Sequence, residues 1–253
     1  MPFIPKSLRR LANLFEQRKT PDALIECVGR VLRAISGGRL DVQRYYLFSQ
    51  PVDKLPRPGR RGAAIEVRTL DASDPLFARL PRPVAETSAR LSGGAQCVVA
   101  EEGGALAGFL WLQPGTATDL ESGVRFSPAP EQATVWDFDV YIDPRHRGGL
   151  AFYRLWSRTG ELLRERGVAH SVSLVWAHND ESIRSHQRLG AYPVASGVQV
   201  RIGRGRVQLG DRPPRLRWLS ARRAAPRYLV DATARKAYAR FPLDQRSTSA
   251  GAG

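Results

Sequence analysis

Thr134-Val135-Trp136-Asp137-Phe138-Asp139-Val140-Tyr141-Ile142 runs directly into Asp143-Pro144-Arg145-His146-Arg147-Gly148-Gly149-Leu150-Ala151. The first nine residues alternate at period two, which predicts a strand. Trp136, Phe138, Val140 and Ile142 fall on one face of it, and Asp137, Asp139 and Tyr141 on the other. The glycine-rich turn then opens a helix predicted from about Gly149 to Arg166 and stopped by Gly167. Free N–H groups at a helix start, with the positive end of its dipole, make a seat for a phosphate. Glycine lets the backbone approach the oxygens, and arginine adds charge. The turn is not a P-loop, because no Gly-Lys-Ser/Thr follows, and it lacks the Gly-x-Gly-x-x-Gly dinucleotide fingerprint. Read alone, it is equally an ordinary glycine-rich helix start.

Outward from this stretch, strands and helices alternate. On the C-terminal side come a strand over 171–177, a short helix over 181–189 ended by Gly190, and a hairpin from 194–202 and 206–209. On the N-terminal side the alternation of Ile65-Glu66-Val67-Arg68 predicts a strand, followed by a polar or helical stretch to Leu91. Strands 96–100 and 105–112 are joined by Glu101-Glu102-Gly103-Gly104, whose glycines suit a hairpin turn. Residues 114–132, rich in Pro, Gly, Ser and Thr, read as a loop. Further out, Thr20-Pro21-Asp22 starts a helix that Gly37-Gly38 ends. Its apolar face is Leu24, Ile25, Val28, Val31, Leu32 and Ile35. Leu8, Leu11, Ala12 and Phe15 predict another helix before it, Tyr45-Tyr46-Leu47-Phe48 a strand, and 51–62 a linker. The expected organisation is a helical extension and linker over 1–62, an α/β (α+β) domain over 63–210 and a basic extension over 211–253.

In that order the chain resembles the GNAT superfamily of acyl-CoA-dependent N-acyltransferases. The resemblance covers roughly residues 64–210 and rests on three segments. These are 143–149, Arg164-Glu165-Arg166-Gly167, and Asn179-Asp180-Glu181-Ser182-Ile183-Arg184-Ser185-His186-Gln187-Arg188-Leu189-Gly190. Aligned without a gap, Leu150 stands where the family turn has its second glycine, and Ala191 where phenylalanine is usual. The resemblance implies a mixed, mostly antiparallel sheet flanked by helices. It implies acetyl-CoA or another acyl-CoA as cosubstrate, a primary amine as acceptor, and no metal. Coenzyme A would lie along Val140, Ile142, Arg145, Arg147, Gly148, Gly149, Leu150, Ala151, Asn179 and Ser182. His186 occupies the place of the family's thiolate-protonating tyrosine, and an imidazolium can give that proton. Asp139, ahead of Asp137, is the candidate to take the amine proton or hold a cationic acceptor. The plainer readings stay open: a surface histidine on an amphipathic helix, and a solvated or salt-bridged strand face.

The remaining features bound the function. The net charge is +15. Residues 1–63 and 201–253 contribute +8 and +10, whereas 64–200 contribute −3. Basic flanks on a mildly acidic middle suggest an anionic partner, a membrane surface or a nucleic acid, held by arms. Trp218 lies among the arginines of the tail, where it can stack on a base. Cys27 and Cys97 make no disulfide framework, and the four histidines have no metal-ligand spacing. The longest apolar run, Ala105 to Leu112, is eight residues, too short to span a bilayer. A cytoplasmic protein, with the flanks able to hold it at the inner membrane surface, is the expectation. Cys97 reads as a core residue, and no Gly-x-Ser-x-Gly elbow appears. The alternatives to an N-acyltransferase are an aminoacyl-tRNA-dependent transferase, a non-catalytic acyl-CoA-binding module and a nucleic-acid-binding module.

Overall fold

The structure, a computed structural model, describes residues 20–118, 123–211, 215–219 and 227–241. The helix expected around Leu8–Phe15 lies outside them. Helix α1 is Thr20–Ile35, and Gly37 and Gly38, at φ +58° and +82°, turn the chain into β1, Leu40–Pro51. After β2 (Ile65–Leu70) comes α2 (Val84–Ser92). The hairpin of β3 (Gln96–Glu102) and β4 (Ala105–Pro114) closes on Gly103 and Gly104, both at positive φ as the sequence predicts. The stretch 114–132 holds two strands, β5 (Ala117–Thr118) and β6 (Arg125–Ala129). Next are β7 (Thr134–Ile142), α3 (Ala151–Glu165), β8 (His170–Trp176) and α4 (Asp180–Arg188). The described chain ends with β9 (Tyr192–Ile202), β10 (Gly205–Gly210), β11 (Leu216–Leu219) and β12 (Arg227–Asp231). Trp218 lies on β11, and its side chain is outside the described residues.

Nine strands form one sheet in the order β11-β10-β9-β1-β8-β7-β4-β3-β2, antiparallel throughout except for β7 and β8. Helices α1, α3 and α4 cover one face. There Leu155, Trp156 and Leu163 of α3 meet Val98, Leu110 and Val135, while Ile183 of α4 meets Tyr46, Phe48 and Val175. The other face carries α2, the helical turn Pro75–Arg79 and a second sheet, β12-β6-β5. Phe126, Tyr228 and Val230 of that small sheet pack on Trp136, Tyr45 and Val172. Cys97 is buried there beside Trp111, and burial pushes its thiol up to about 12, so it is core as expected.

Four expectations about organisation change. The sheet does not divide at 62/63: β1, from the expected extension, is a central strand between β8 and β9. Residues 51–62 are a strap rather than a free linker. Val52 and Leu55 are buried, and the Arg164 guanidinium donates to both of their carbonyls at 2.8 and 2.6 Å. A Cβ on Gly160 of α3 would meet the Leu55 Cβ at 2.9 Å, so glycine permits this close approach. Residues 227–241 also fold back. β12 pairs in parallel with β6, Phe241 packs on Tyr46 and Phe48, and Arg240 pairs with Asp22 and Asp180. Finally, α1 does not bury its long apolar stripe. It docks through Asp22, Ala23 and Gly29, whereas Leu24, Val28, Val31 and Ile35 are exposed.

Candidate active site

The parallel pair at the centre of the sheet is short. Thr134, Val135 and Trp136 of β7 face His170, Ser171 and Val172 of β8, and pairing stops there. β7 continues to Ile142 against β4 alone, and β8 continues to Trp176 against β1. The two strands therefore part into a cleft that opens toward their C-terminal ends. The cause on the β7 side is a bulge, visible as a shift of the β4–β7 register between Phe109 and Trp111. Asp139 sits in it at φ +49°, a conformation an aspartate adopts more readily than most residues.

The bulge corrects the sequence reading of the strand's faces. Trp136 and Phe138 pack toward the small sheet and α2, but Val140 and Ile142 turn to the α3 side, beside Leu150 and Ala151. Asp137 and Asp139 separate as well. Asp137, 1% exposed, stands at the fork of the cleft and accepts from the Ser171 hydroxyl and, at 2.7 Å, from that of Ser173. Asp139 is clamped on the α2 side by Arg82 and Arg90. Its oxygens are taken up by two guanidiniums, which leaves it poorly placed to collect an amine proton. Of the two aspartates, Asp137 is the one at the fork of the cleft.

At the mouth of the cleft the turn is built from local caps. Asp143 accepts from the Arg145 N–H at 2.9 Å and from its guanidinium at the same distance. That hydrogen bonding holds the Asp143 carboxyl at about 2. Arg145 is thereby tied back to the protein, while Arg147 reaches the Ile142 carbonyl at 3.3 Å. Gly148, at φ +73°, turns the chain into α3, and open space surrounds its Cβ position. No side chain caps this helix, whose first bond runs from the Arg154 N–H to the Leu150 carbonyl. The N–H groups of its first turn therefore point outward without a helical acceptor. Sequence reasoning missed the neighbouring strap: Arg154 donates to the Gly59 and Ile65 carbonyls, and Tyr153 to that of Arg57. Arg57, Arg60 and Arg61 thus lie beside the same helix start, a placement no local pattern reveals.

Across the cleft, Asn179 caps α4 by accepting from the Ser182 N–H at 3.1 Å, a structural use of the residue. His186 is not a surface histidine. It is 5% exposed, stacked on Phe48 and edge-on to Trp156, with a buried Nδ1 that has no hydrogen-bond partner. Burial lowers its pKa, with the charge of Asp137 partly opposing. Burial thus favours the neutral imidazole.

The family model of the GNAT acetyltransferases matches residues 65–191. The chain belongs to the GNAT acetyltransferase family. The GNAT match takes in the cleft, the glycine turn and α4. It does not include β1 or the strands after α4. A comparison with curated protein sequences finds no match. Among solved structures, a GNAT-family protein from Novosphingobium aromaticivorans is 17% identical, with 62% of each chain covered and a TM-score of 0.45. A tandem GNAT protein from the clavulanic acid biosynthesis pathway is 16% identical over 65% of this chain and 55% of its own, with a TM-score of 0.45. A Salmonella typhimurium protein solved with its cofactor acetyl-CoA is 23% identical over 50% of this chain and 79% of its own, with a TM-score of 0.35. This chain thus spans less than two thirds of the first two. Among the described residues no group of three or more His, Cys, Asp or Glu side chains could hold a metal. No described helix is long and apolar enough to cross a membrane.

Proposed function

We propose that the protein transfers an acetyl or longer acyl group from acyl-CoA to a primary amine. The observation that carries this reading is the early parting of β7 and β8 with an uncapped helix start at the mouth of the gap. Backbone groups of Phe138–Ile142 on the β8 side are left to pair with an extended ligand arm, and the first turn of α3 offers N–H groups to a diphosphate. Val140, Ile142, Leu150 and Ala151 give that arm an apolar wall. Arg147, Gly148 and Gly149 flank the diphosphate, with Asn179 and Ser182 on the opposite bank.

In the reaction, the neutral amine attacks the thioester carbonyl, forming a C–N bond and breaking the C–S bond. His186, neutral because it is buried, takes the proton the amine loses, and the charge of Asp137 stabilises the imidazolium. The same imidazolium then returns that proton to the leaving thiolate, giving free CoA. Asp139 holds the bulge in shape through Arg82 and Arg90 and takes no part in proton transfer.

The test is release of free CoA thiol by the full chain, supplied with acetyl-CoA and longer acyl-CoAs against a panel of amines. Amine-dependent release is expected. Binding of acyl-CoA without release would leave an acyl-CoA-binding module, and absence of both would overturn the reading.

A further inference from the structure

β8 ends at Trp176, opposite Tyr45, but β1 runs on from Arg44 back to Leu40 paired only with β9. The space beyond the end of β8 is a cavity of about 620 Å³, roofed by α1. It lies on the other side of β8 from the cleft. His178, on its wall, is followed at once by Asn179, the cap of α4.

The lining is strongly charged and unevenly matched. Arg30, Arg33, Arg44, Arg201 and Arg206 face three carboxylates, Asp22, Glu26 and Asp41. The carboxylates already have partners. Asp41 accepts from Arg33 at 2.8 Å and Gln43 at 2.6 Å, with Arg201 at 3.7 Å. Asp22 accepts from the Tyr46 hydroxyl at 2.9 Å and meets Arg44 at 3.3 Å and Arg240 at 3.5 Å. Glu26 pairs with Arg30. The arginines, each with five N–H donors, are far from used up. The Arg206 guanidinium has no hydrogen-bond or ion-pair partner among the described residues. A half-enclosed site with more guanidiniums than carboxylates takes an anion, and a planar fork suits carboxylate or phosphate oxygens. Trp176, Ile25 and Val42 add apolar wall for a carbon skeleton.

We infer that this cavity binds the acceptor by an anionic group, so that the substrate is a small amine also carrying a carboxylate or a phosphate. The inference rests on the acyltransferase reading above. Neighbouring strands lie ~4.8 Å apart, so an anion beyond the end of β8 and an amine at the cleft are separated by roughly 5–10 Å. Short amines with their anion at the far end fit that span.

The experiment uses matched pairs with acetyl-CoA and the full chain: 6-aminohexanoate against hexylamine, and 3-aminopropyl phosphate against 3-aminopropanol. In at least one pair the anionic member is expected to have a KM lower by about tenfold or more, as a charge-assisted contact provides. The pair that shows it identifies the anion. Arg206→Gln is expected to collapse that ratio while acetyl-CoA affinity holds, and Arg125→Gln, on an exposed position of β6, to leave the ratio in place. Equal KM values within both pairs, or an unchanged ratio in Arg206→Gln, would overturn the inference. If no amine is turned over, the acyltransferase reading fails by itself, and direct titration of the two anionic amines decides the cavity. Saturable binding of either that Arg206→Gln removes upholds an anion site, and its absence from both refutes one.

Discussion

His186 lies between Phe48 and Trp156 with its Nδ1 buried, and burial lowers its pKa. Unfolded, the same side chain titrates near the ordinary ~6.5. Below that pH the unfolded chain binds more protons than the folded one, so stability is full above it and falls as pH drops toward the folded pKa. His170, also lowered by burial, adds a contribution of the same sign. Urea midpoints of the parent should therefore fall between pH 7 and pH 5. In His186→Phe, which keeps an aromatic ring between the same neighbours, the fall should be visibly smaller. An unchanged fall would show that His186 titrates alike in the folded and unfolded states. The same variant should lose ~10²–10⁴ in turnover, the usual effect of removing an acid–base group, with acetyl-CoA affinity kept. Asp137 and Asp139 show how little chemical type says by itself: one is held by two serines at the fork of the cleft, the other by two arginines.

The turn into α3 works because Gly148 sits at φ +73° with nothing near its Cβ position. A β-branched residue there meets backbone strain but no packing clash, costing on the order of 1–3 kcal/mol. Gly148→Val should accordingly stay folded with a modest drop in Tm. The chain would leave the left-handed region, the first-turn N–H groups would turn away, and CoA affinity should weaken by ~10-fold or more, since a lost charge-assisted contact is worth that much. Titration of CoA into the folded variant reads this directly. Unchanged affinity would place the diphosphate elsewhere. The bulge in β7 is the other element-level device, because it puts Val140 and Ile142 on the same side as Leu150 while Trp136 stays in the core below the small sheet.

The whole molecule is held by segments at both ends of the described chain. β1 is central in the large sheet, and β12 completes the small sheet that covers Trp136. Tyr228, Val230 and Ala232 are fully buried, and Phe241 is 7% exposed against Tyr46 and Phe48. Burying such a side chain contributes ~1.5–3 kcal/mol. Loss of several approaches the ~5–15 kcal/mol that hold a domain together. A chain cut after residue 210 should thus lose cooperative thermal unfolding, whereas one cut after 241 should keep it. Full cooperativity and an unchanged Tm in the shorter chain would mean the tail is dispensable. The basic character of the tail is partly internal, since Lys236 pairs with Asp211 and Arg240 with Asp180.

From the sequence alone come the strand 134–142 with its observed bounds, the Gly103-Gly104 hairpin, the helix ended by Gly37-Gly38, and the order turn, helix, strand, Asn, helix. All of these depend on neighbours a few residues apart, through side-chain period, capping and positive φ, which is the range over which sequence pattern is informative. The two faces of β7 could not be read, because a bulge is set by how β4 pairs with it, and period two carries no sign of one inserted residue. The burial of His186 depends on Phe48 and Trp156, far away in the chain. The place of β1 between β8 and β9 is likewise a long-range pairing, and the arginine-lined cavity exists only because β8 stops short of the end of β1. Local chemistry determined which segments could form a cleft of this kind. Tertiary packing decided which aspartate stands at its fork, and that its histidine is buried.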